Sequence, residues 1–174
     1  MGRPFKFRKG ELVARLSGQE RRVLVFVCDE LTELLSDDES EGDVPEWARE
    51  LGLEDVGGPR TSPDDPVVAR LLPDAYEDPE RANEFRRLSE ADLRARKLAH
   101  IALVREQLGE DRIVLTDDAQ SWLAFLADAR LTVGTRLGVT EDDEMMPGDD
   151  PEYNLYLYLG YLQQSLVEEL MGGR

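Results

Sequence analysis

The sequence predicts a mainly α-helical single domain of about five to six helices that begins with a short β-hairpin. Apolar residues recur at helical spacing in several segments that are bounded by capping residues, glycine or proline. Phe5 and Phe7 instead alternate with basic residues, and Lys9-Gly10 separates this stretch from a second alternating one, which is typical of a hairpin. A length of 174 residues is enough for one such domain with a substantial core.

The first part of the domain is predicted to contain the hairpin, one helix and a long loop. We assign residues 1–17 to the hairpin. Ser17 and Glu20 have the spacing of a capping box, which predicts a helix over 18–35. The stretch 36–65 is acidic and rich in glycine and proline, so we expect a long loop there.

Residues 66–171 are predicted to form the helical core. A short helix is expected over 66–72, and a second helix is expected to begin near Pro79. The motif Ser89-x-x-Asp92 predicts the start of a third, longer helix that ends near Gly109.

Two further helices are predicted at the end of the chain. The apolar run Ile113-Val114-Leu115 is expected to be extended, and a helix over 118–138 follows it. Gly138 is suited to the C-cap of that helix, because glycine adopts left-handed backbone conformations without steric cost. Pro151 is suited to the first turn of a final helix that runs to about residue 171.

The charge of the chain is strongly negative and unevenly distributed. The formal net charge is −17, but residues 1–25 carry +5 and the remainder carries −22. An acidic surface attracts basic proteins and repels phosphates, so we expect a basic protein partner. Contact with DNA would depend on the basic hairpin and is expected to be weak or indirect. The candidates for DNA contact are Lys6, Arg8, Lys9 and Arg15.

The localisation expected from the sequence is cytoplasmic. No apolar run approaches the roughly 20 residues that span a bilayer, and the first residues lack a signal-peptide pattern. The single cysteine, Cys28, excludes an intramolecular disulfide and fits a reducing compartment. Cys28 is either a buried, inert thiol or a redox-sensitive one, and the neighbouring Asp29 and Glu30 disfavour its thiolate.

The residues that carry chemistry do not form a recognisable reaction centre. The only histidine is His100, and no nucleophile, phosphate-loop or zinc motif is present. The segment that begins at Asp37 resembles a calcium loop at first, but its twelfth position is Ala48, where such loops use glutamate. We therefore predict a protein that is not an enzyme and that has no catalytic residue, cofactor or metal.

Arg130 lies within the apolar arc of the predicted helix 118–138. A buried charge requires a partner, and two interpretations remain open. Arg130 either pairs with a carboxylate of a neighbouring helix or is presented in a groove to the carboxylate or phosphate of a ligand.

The final helix has two apolar stripes. Leu155, Leu159 and Leu162 belong to the stripe that is expected to face the core. A second stripe on the opposite side includes Tyr153, Leu157, Tyr161 and the adjacent Gln164. If the helix is central, the second stripe is additional core; if it is peripheral, the stripe is a surface for a partner or for a second copy of the chain.

Four segments resemble an actinobacterial family of uncharacterised domains that includes the actinomycete oxidative stress regulator. They are Ala69–Tyr76 (ARLLPDAY), Glu84–Leu88 (EFRRL), Leu126–Asp143 (LADARLTVGTRLGVTEDD) and Tyr158–Leu170 (YLGYLQQSLVEEL). The resemblance implies a transcriptional regulator of the redox response that works alongside a stress sigma factor. One departure is that sensing through an intramolecular disulfide needs two cysteines, whereas this chain has only Cys28.

The function predicted first is a non-enzymatic regulator of the oxidative stress response that acts through a protein partner such as a sigma factor. Direct DNA binding by the hairpin is one alternative. A helical module that binds a ligand or forms a structural dimer is another.

Overall fold

The computed structural model describes residues 2–36, 50, 63–140 and 148–172, and within them it confirms the predicted fold class. Most of the predicted loop 36–65 lies outside these residues. The described elements are a three-stranded antiparallel sheet and five helices. The strands are β1 Phe5–Arg8, β2 Glu11–Ala14 and β3 Ile113–Val114; the helices are α1 Gly18–Ser36, α2 Pro66–Leu71, α3 Pro79–Leu108, α4 Ala119–Leu137 and α5 Pro151–Gly172.

The sheet is the predicted hairpin extended by one short strand. Lys9 and Gly10 form the turn with φ angles of 51° and 85°, a conformation that glycine adopts without strain. β2 also pairs with β3, which confirms that residues 113–115 are extended. Phe5 is fully buried, and its ring meets Trp122 of α4 edge-on at a centroid distance of 5.9 Å. The hairpin therefore packs on the helices rather than standing alone.

The start of α1 has the predicted capping box and an additional anchor. Ser17 N donates to Glu20 at 2.6 Å, and Glu20 N donates to the Ser17 hydroxyl at 3.2 Å. Arg21, in the first turn, donates to the backbone oxygens of Leu108 and Glu110. These carbonyls follow the end of α3, where unpaired acceptors favour a cation, so Arg21 joins the start of α1 to the end of α3.

The structure contains one continuous helix, Pro79–Leu108, where the sequence predicted two, so the prediction that Ser89 begins a new helix is wrong. The Ser89 hydroxyl donates to the Phe85 backbone oxygen at 2.8 Å, which is how serine is accommodated inside a helix. The helix instead begins at Pro79, directly after the N-cap Asp78, whose side chain accepts from Glu80 N.

A buried ionic ladder on α3 accounts for its continuity. Glu90 lies 3.6 Å from Arg86 and 3.1 Å from Arg94, each one helical turn away. Arg86 also donates to the Leu72 backbone oxygen at 3.1 Å, and Arg94 donates to that of Leu35 at 2.9 Å. The ladder therefore connects the ends of α1 and α2 to α3.

A second polar network joins α3 to the start of α4. The indole nitrogen of buried Trp122 donates to Gln107 Oε1 at 2.7 Å, and Gln107 Nε2 donates to Asp118 at 2.8 Å and to the Val114 backbone oxygen at 3.2 Å. Asp118 is the residue before α4 and uses its carboxylate on Gln107 rather than on the helix N-terminus.

The last two helices have the boundaries predicted for them. Gly138 ends α4 with a φ of 66°, and Pro151 begins α5. The α4–α5 pair is the most extensive helix packing among the described elements. Leu159, Leu162 and Leu166 of α5 are fully buried in this interface region. None of the described helices has the combination of length and apolar character that a membrane crossing requires.

Candidate functional site

The only histidine, His100, belongs to a serine–histidine pair between α3 and α4. His100 Nδ1 lies 2.9 Å from the Ser121 hydroxyl, and the imidazole is half-buried. A serine nucleophile works with a base whose other nitrogen is oriented by a third group, usually a carboxylate. Within the part of the chain that the structure describes, no carboxylate is hydrogen-bonded to His100. The pair therefore lacks the orienting member of a catalytic triad.

Residues able to bind a metal are not brought together in the described ranges. No group of three or more His, Cys, Asp and Glu side chains there has the arrangement of a metal site. The segment from Asp37 to Ala48, compared above with a calcium loop, lies outside the described residues.

Cys28 is fully buried in the core on the inner face of α1. Burial, and then the charge of the adjacent Asp29, raises the pKa of the thiol to about 12, although Arg105 acts in the opposite direction. Because the thiolate is the reactive form of cysteine, both location and pKa disfavour reaction in the native fold.

The second stripe of α5 is partly exposed in the described part of the chain. Tyr161 is 48% exposed, and Gln164 is also exposed. Tyr153 and Leu157 are half-buried. Among the described residues, the stripe is therefore divided: Leu157 packs partly against the core, whereas Tyr161 faces away from it.

The exposed face continues beyond the predicted stripe. Val167 and Met171 are 37% and 79% exposed and lie on the same side of α5. Gln164 Nε2 donates to Glu168 at 3.0 Å within this face. We name the side of α5 that carries Tyr153, Leu157, Tyr161, Gln164, Val167 and Met171 the α5 outer face.

The basic residues of the hairpin line a cleft of about 1020 Å³. The structure brings together all four predicted candidates, whose side chains are exposed, with two further cations and one acidic residue at the rim. The candidates are Lys6, Arg8, Lys9 and Arg15, and the added residues are Arg21, Arg112 and Asp111. We name this surface the hairpin cleft.

The neighbour of Arg130 in the described part of the chain is an aromatic residue. Among the described residues Arg130 forms no ion pair; instead, one guanidinium nitrogen donates to the Tyr156 hydroxyl at 3.2 Å. The guanidinium carbon lies 5.0 Å from the centre of the Tyr156 ring, a cation–π distance. Arg130 Nε is buried without a hydrogen-bond partner.

Arg130 and Tyr156 line a second, smaller cleft of about 230 Å³ between α4 and α5. Its other polar lining residues are Arg70 from α2, Thr135 from α4 and Gln163 from α5. The sequence indicated Arg130 because it interrupts an apolar arc. It gave no signal for Arg70 or Gln163, which belong to other helices and reach the cleft only through the tertiary fold.

Comparison with known proteins supplies a family and named relatives. The family model described as a domain of unknown function (DUF2017) matches residues 2–170. Similar curated proteins include the oxidative stress regulator AosR of Mycobacterium bovis and of Mycobacterium tuberculosis, each 31% identical over 147 residues. The matched segment covers 70% of this chain and 67% of each relative. No solved structure matches the chain.

Proposed function

The chain belongs to the family described as a domain of unknown function (DUF2017), and from this premise we propose that it is a non-enzymatic regulator of the oxidative stress response in the cytoplasm. The observation that carries the proposal is the 31% identity to proteins named oxidative stress regulators, over two thirds of their length. The absence of a motif for catalysis from the sequence and the incomplete His100–Ser121 pair are consistent with regulation rather than turnover.

Regulation is proposed to act on transcription through a protein partner that docks on the α5 outer face. Tyr161 and Met171 provide exposed apolar area on one helix side, and aromatic residues and methionine are enriched in protein interfaces. The exposed acids Asp149, Asp150 and Glu152 precede or begin the helix, and exposed Glu168 lies within the face. This charge suits a basic partner, such as the DNA-binding region of a sigma factor.

The test is binding of a purified stress-response sigma factor from the same organism, measured at low and at high salt. Tyr161→Arg places a positive charge in the centre of the face and is expected to weaken binding about tenfold or more. Higher salt is expected to weaken binding of the unmodified chain, because the attraction between acidic and basic surfaces is screened.

The matched control is Phe26→Arg, because Phe26 is a 62% exposed aromatic residue on α1, a different helix. This variant is expected to bind as the unmodified chain does. An equal loss of sigma-factor binding in Tyr161→Arg and Phe26→Arg would contradict the proposed docking mode. Self-association of the chain through α5, with no binding of the partner, would also contradict it.

The hairpin cleft supports a second candidate function, direct binding of DNA. Lys6, Arg8, Lys9 and Arg15 lie around one concave surface, and their local charge opposes the strongly negative remainder of the chain. Such a cluster can contact phosphates without reading sequence, which would give weak binding that depends steeply on salt.

Reversing the charge of these four residues to Glu tests this candidate by electrophoretic mobility shift. The expected result is loss of a salt-sensitive shift, whereas a control that reverses the exposed Arg22 and Arg96 keeps it. A shift that survives the four reversals eliminates the hairpin as a DNA-binding element.

A further inference from the structure

The cleft between α4 and α5 has the composition of an anion site. Arg70 and Arg130 contribute two positive charges, and none of the described residues that line it is Asp or Glu. Tyr156 and Gln163 add neutral groups able to donate hydrogen bonds, whereas the Thr135 hydroxyl donates to the Leu131 backbone oxygen at 2.7 Å. The net charge of the chain is −17, yet both charged residues among the described lining of this cleft are cations.

The surroundings of Arg130 indicate that its charge is incompletely satisfied by the residues that the structure describes. A guanidinium has five N–H donors, and the hydrogen bond recorded for Arg130 goes to a neutral phenol, Tyr156 Oη. Its Nε is buried and unpaired. Within the described ranges no carboxylate forms an ion pair with Arg130, and a half-buried charge in that state is unfavourable. An anion in the cleft would supply an electrostatic partner.

Two glycines allow Arg130 and Tyr156 to hold these positions. A Cβ at Gly160 would lie 3.3 Å from Arg130 Nε, and a Cβ at Gly134 would lie 2.9 Å from the Tyr156 ring. Arg130 therefore lies against the backbone of α5 at Gly160, and Tyr156 lies against the backbone of α4 at Gly134. This arrangement restricts the guanidinium before any ligand arrives, which lowers the entropy cost of binding.

We infer that this cleft binds a small anion, a carboxylate or a phosphate, whose charge is met by Arg130 and Arg70. A volume of about 230 Å³ corresponds to roughly seven or eight water molecules at about 30 Å³ each, so the ligand has few heavy atoms. Both arginines can present two parallel donors, the geometry that carboxylate and phosphate groups accept. The inference is independent of the proposed function.

The test is a titration followed by amide NMR shifts, with inorganic phosphate in one arm, acetate in another, and sodium chloride at matched ionic strength as the reference. Gly134 and Thr135 line the cleft and Gly160 lies against Arg130, so their amides report on it. Lys9 reports on the hairpin cleft, where phosphate can bind non-specifically. Saturable shifts at the first three with either probe support the inference, and the arm that saturates identifies the chemistry.

Arg70→Gln and Arg130→Gln are each expected to raise the dissociation constant of the anion at least about tenfold, because each removes one of two charge-assisted contacts. Arg70 is exposed, so its replacement leaves the fold intact even if Arg130→Gln does not fold. Arg96→Gln, an exposed arginine on α3, is the matched control and keeps the response. Shifts confined to Lys9, no saturation with either probe, or an unchanged response in Arg70→Gln overturn the inference.

Discussion

The phenol of Tyr158 donates a 2.9 Å hydrogen bond to Oε1 of Glu20, so α5 is joined directly to the capping box of α1. Burial alone raises the pKa of Glu20, but the hydrogen bonds from Ser17 and from Tyr158 outweigh it and hold the pKa below the ordinary 4.5. Burial, and then the bond to Glu20, raises the pKa of Tyr158, so the phenol stays protonated and donates at neutral pH.

The Tyr158–Glu20 bond predicts a specific dependence of stability on pH. A carboxylate with a lowered pKa in the folded state stabilises the protein above its unfolded pKa and loses that contribution as pH falls through the folded pKa. Tyr158→Phe is therefore expected to lower the unfolding free energy by about 1–2 kcal/mol at pH 7. The difference from the unmodified chain narrows below the ordinary pKa of 4.5. Urea unfolding of both proteins between acidic pH and pH 7 measures this difference in unfolding free energy. A difference that grows as the pH falls would refute the stabilising role of the Tyr158–Glu20 bond.

Gly134→Ala is predicted to destabilise the α4–α5 interface although alanine favours helices. The added methyl carbon would lie 2.9 Å from Cε2 of Tyr156, whose ring is held against Arg130. Overpacking of this kind costs about 1–3 kcal/mol, which exceeds the gain in helix propensity of up to about 1 kcal/mol. Thermal unfolding measures the loss, and the same substitution in a Tyr156→Ala background should cost much less. Gly138 and Gly10 have positive φ, so Gly148→Ala is the control: apart from its chain neighbours, no described residue has an atom within 4 Å of a Cβ added there.

Gln107→Met is predicted to destabilise the junction of α3 with α4. It removes the acceptor of the buried Trp122 indole and the donor to Asp118. An orphaned buried donor costs about 1–3 kcal/mol, and methionine has nearly the same shape as glutamine. Denaturant unfolding followed by far-UV circular dichroism gives the change in unfolding free energy. Glu106→Met, at the exposed neighbouring position, should change it by less than about 0.5 kcal/mol.

Cys28 is predicted to react with a thiol reagent only after unfolding. A rise in pKa from 9.0 to about 12 lowers the thiolate fraction roughly a thousandfold, and burial restricts access further. Labelling by a chromogenic disulfide should therefore be at least about a hundredfold slower in native buffer than in urea at the same pH. Native labelling as fast as in urea would instead favour the redox-sensitive interpretation of Cys28.

The fold was predictable where local signals act alone. Ser17 and Glu20 satisfy each other within four residues, and Gly138 ends a helix through its own backbone freedom, so neither depends on distant contacts. The break predicted at Ser89 failed because the same hydroxyl can cap a helix or bond back inside one. Here the ladder around Glu90 keeps α3 continuous, and its i, i+4 spacing was visible in the sequence.

The candidate sites were predictable only in part, because they depend on contacts between elements that are distant in the sequence. Periodicity placed Tyr161 opposite the leucine face, but it could not show whether another element covers that side. Arg130 was recognised as a charge in an apolar arc, but periodicity did not predict that the aromatic Tyr156 would be its partner among the described residues. Arg70 meets them through α2, and no pattern in one segment predicts contacts among three helices.

The measurement that tests the central claim most directly is the transcript response to an oxidant in the organism that encodes the chain, with Tyr161→Arg introduced at the native locus. We expect this variant to lose the same part of the response as a deletion of the gene, while Phe26→Arg keeps it. A deletion that leaves the response unchanged would contradict a regulatory role, and a normal response with Tyr161→Arg would contradict the α5 outer face as the working surface.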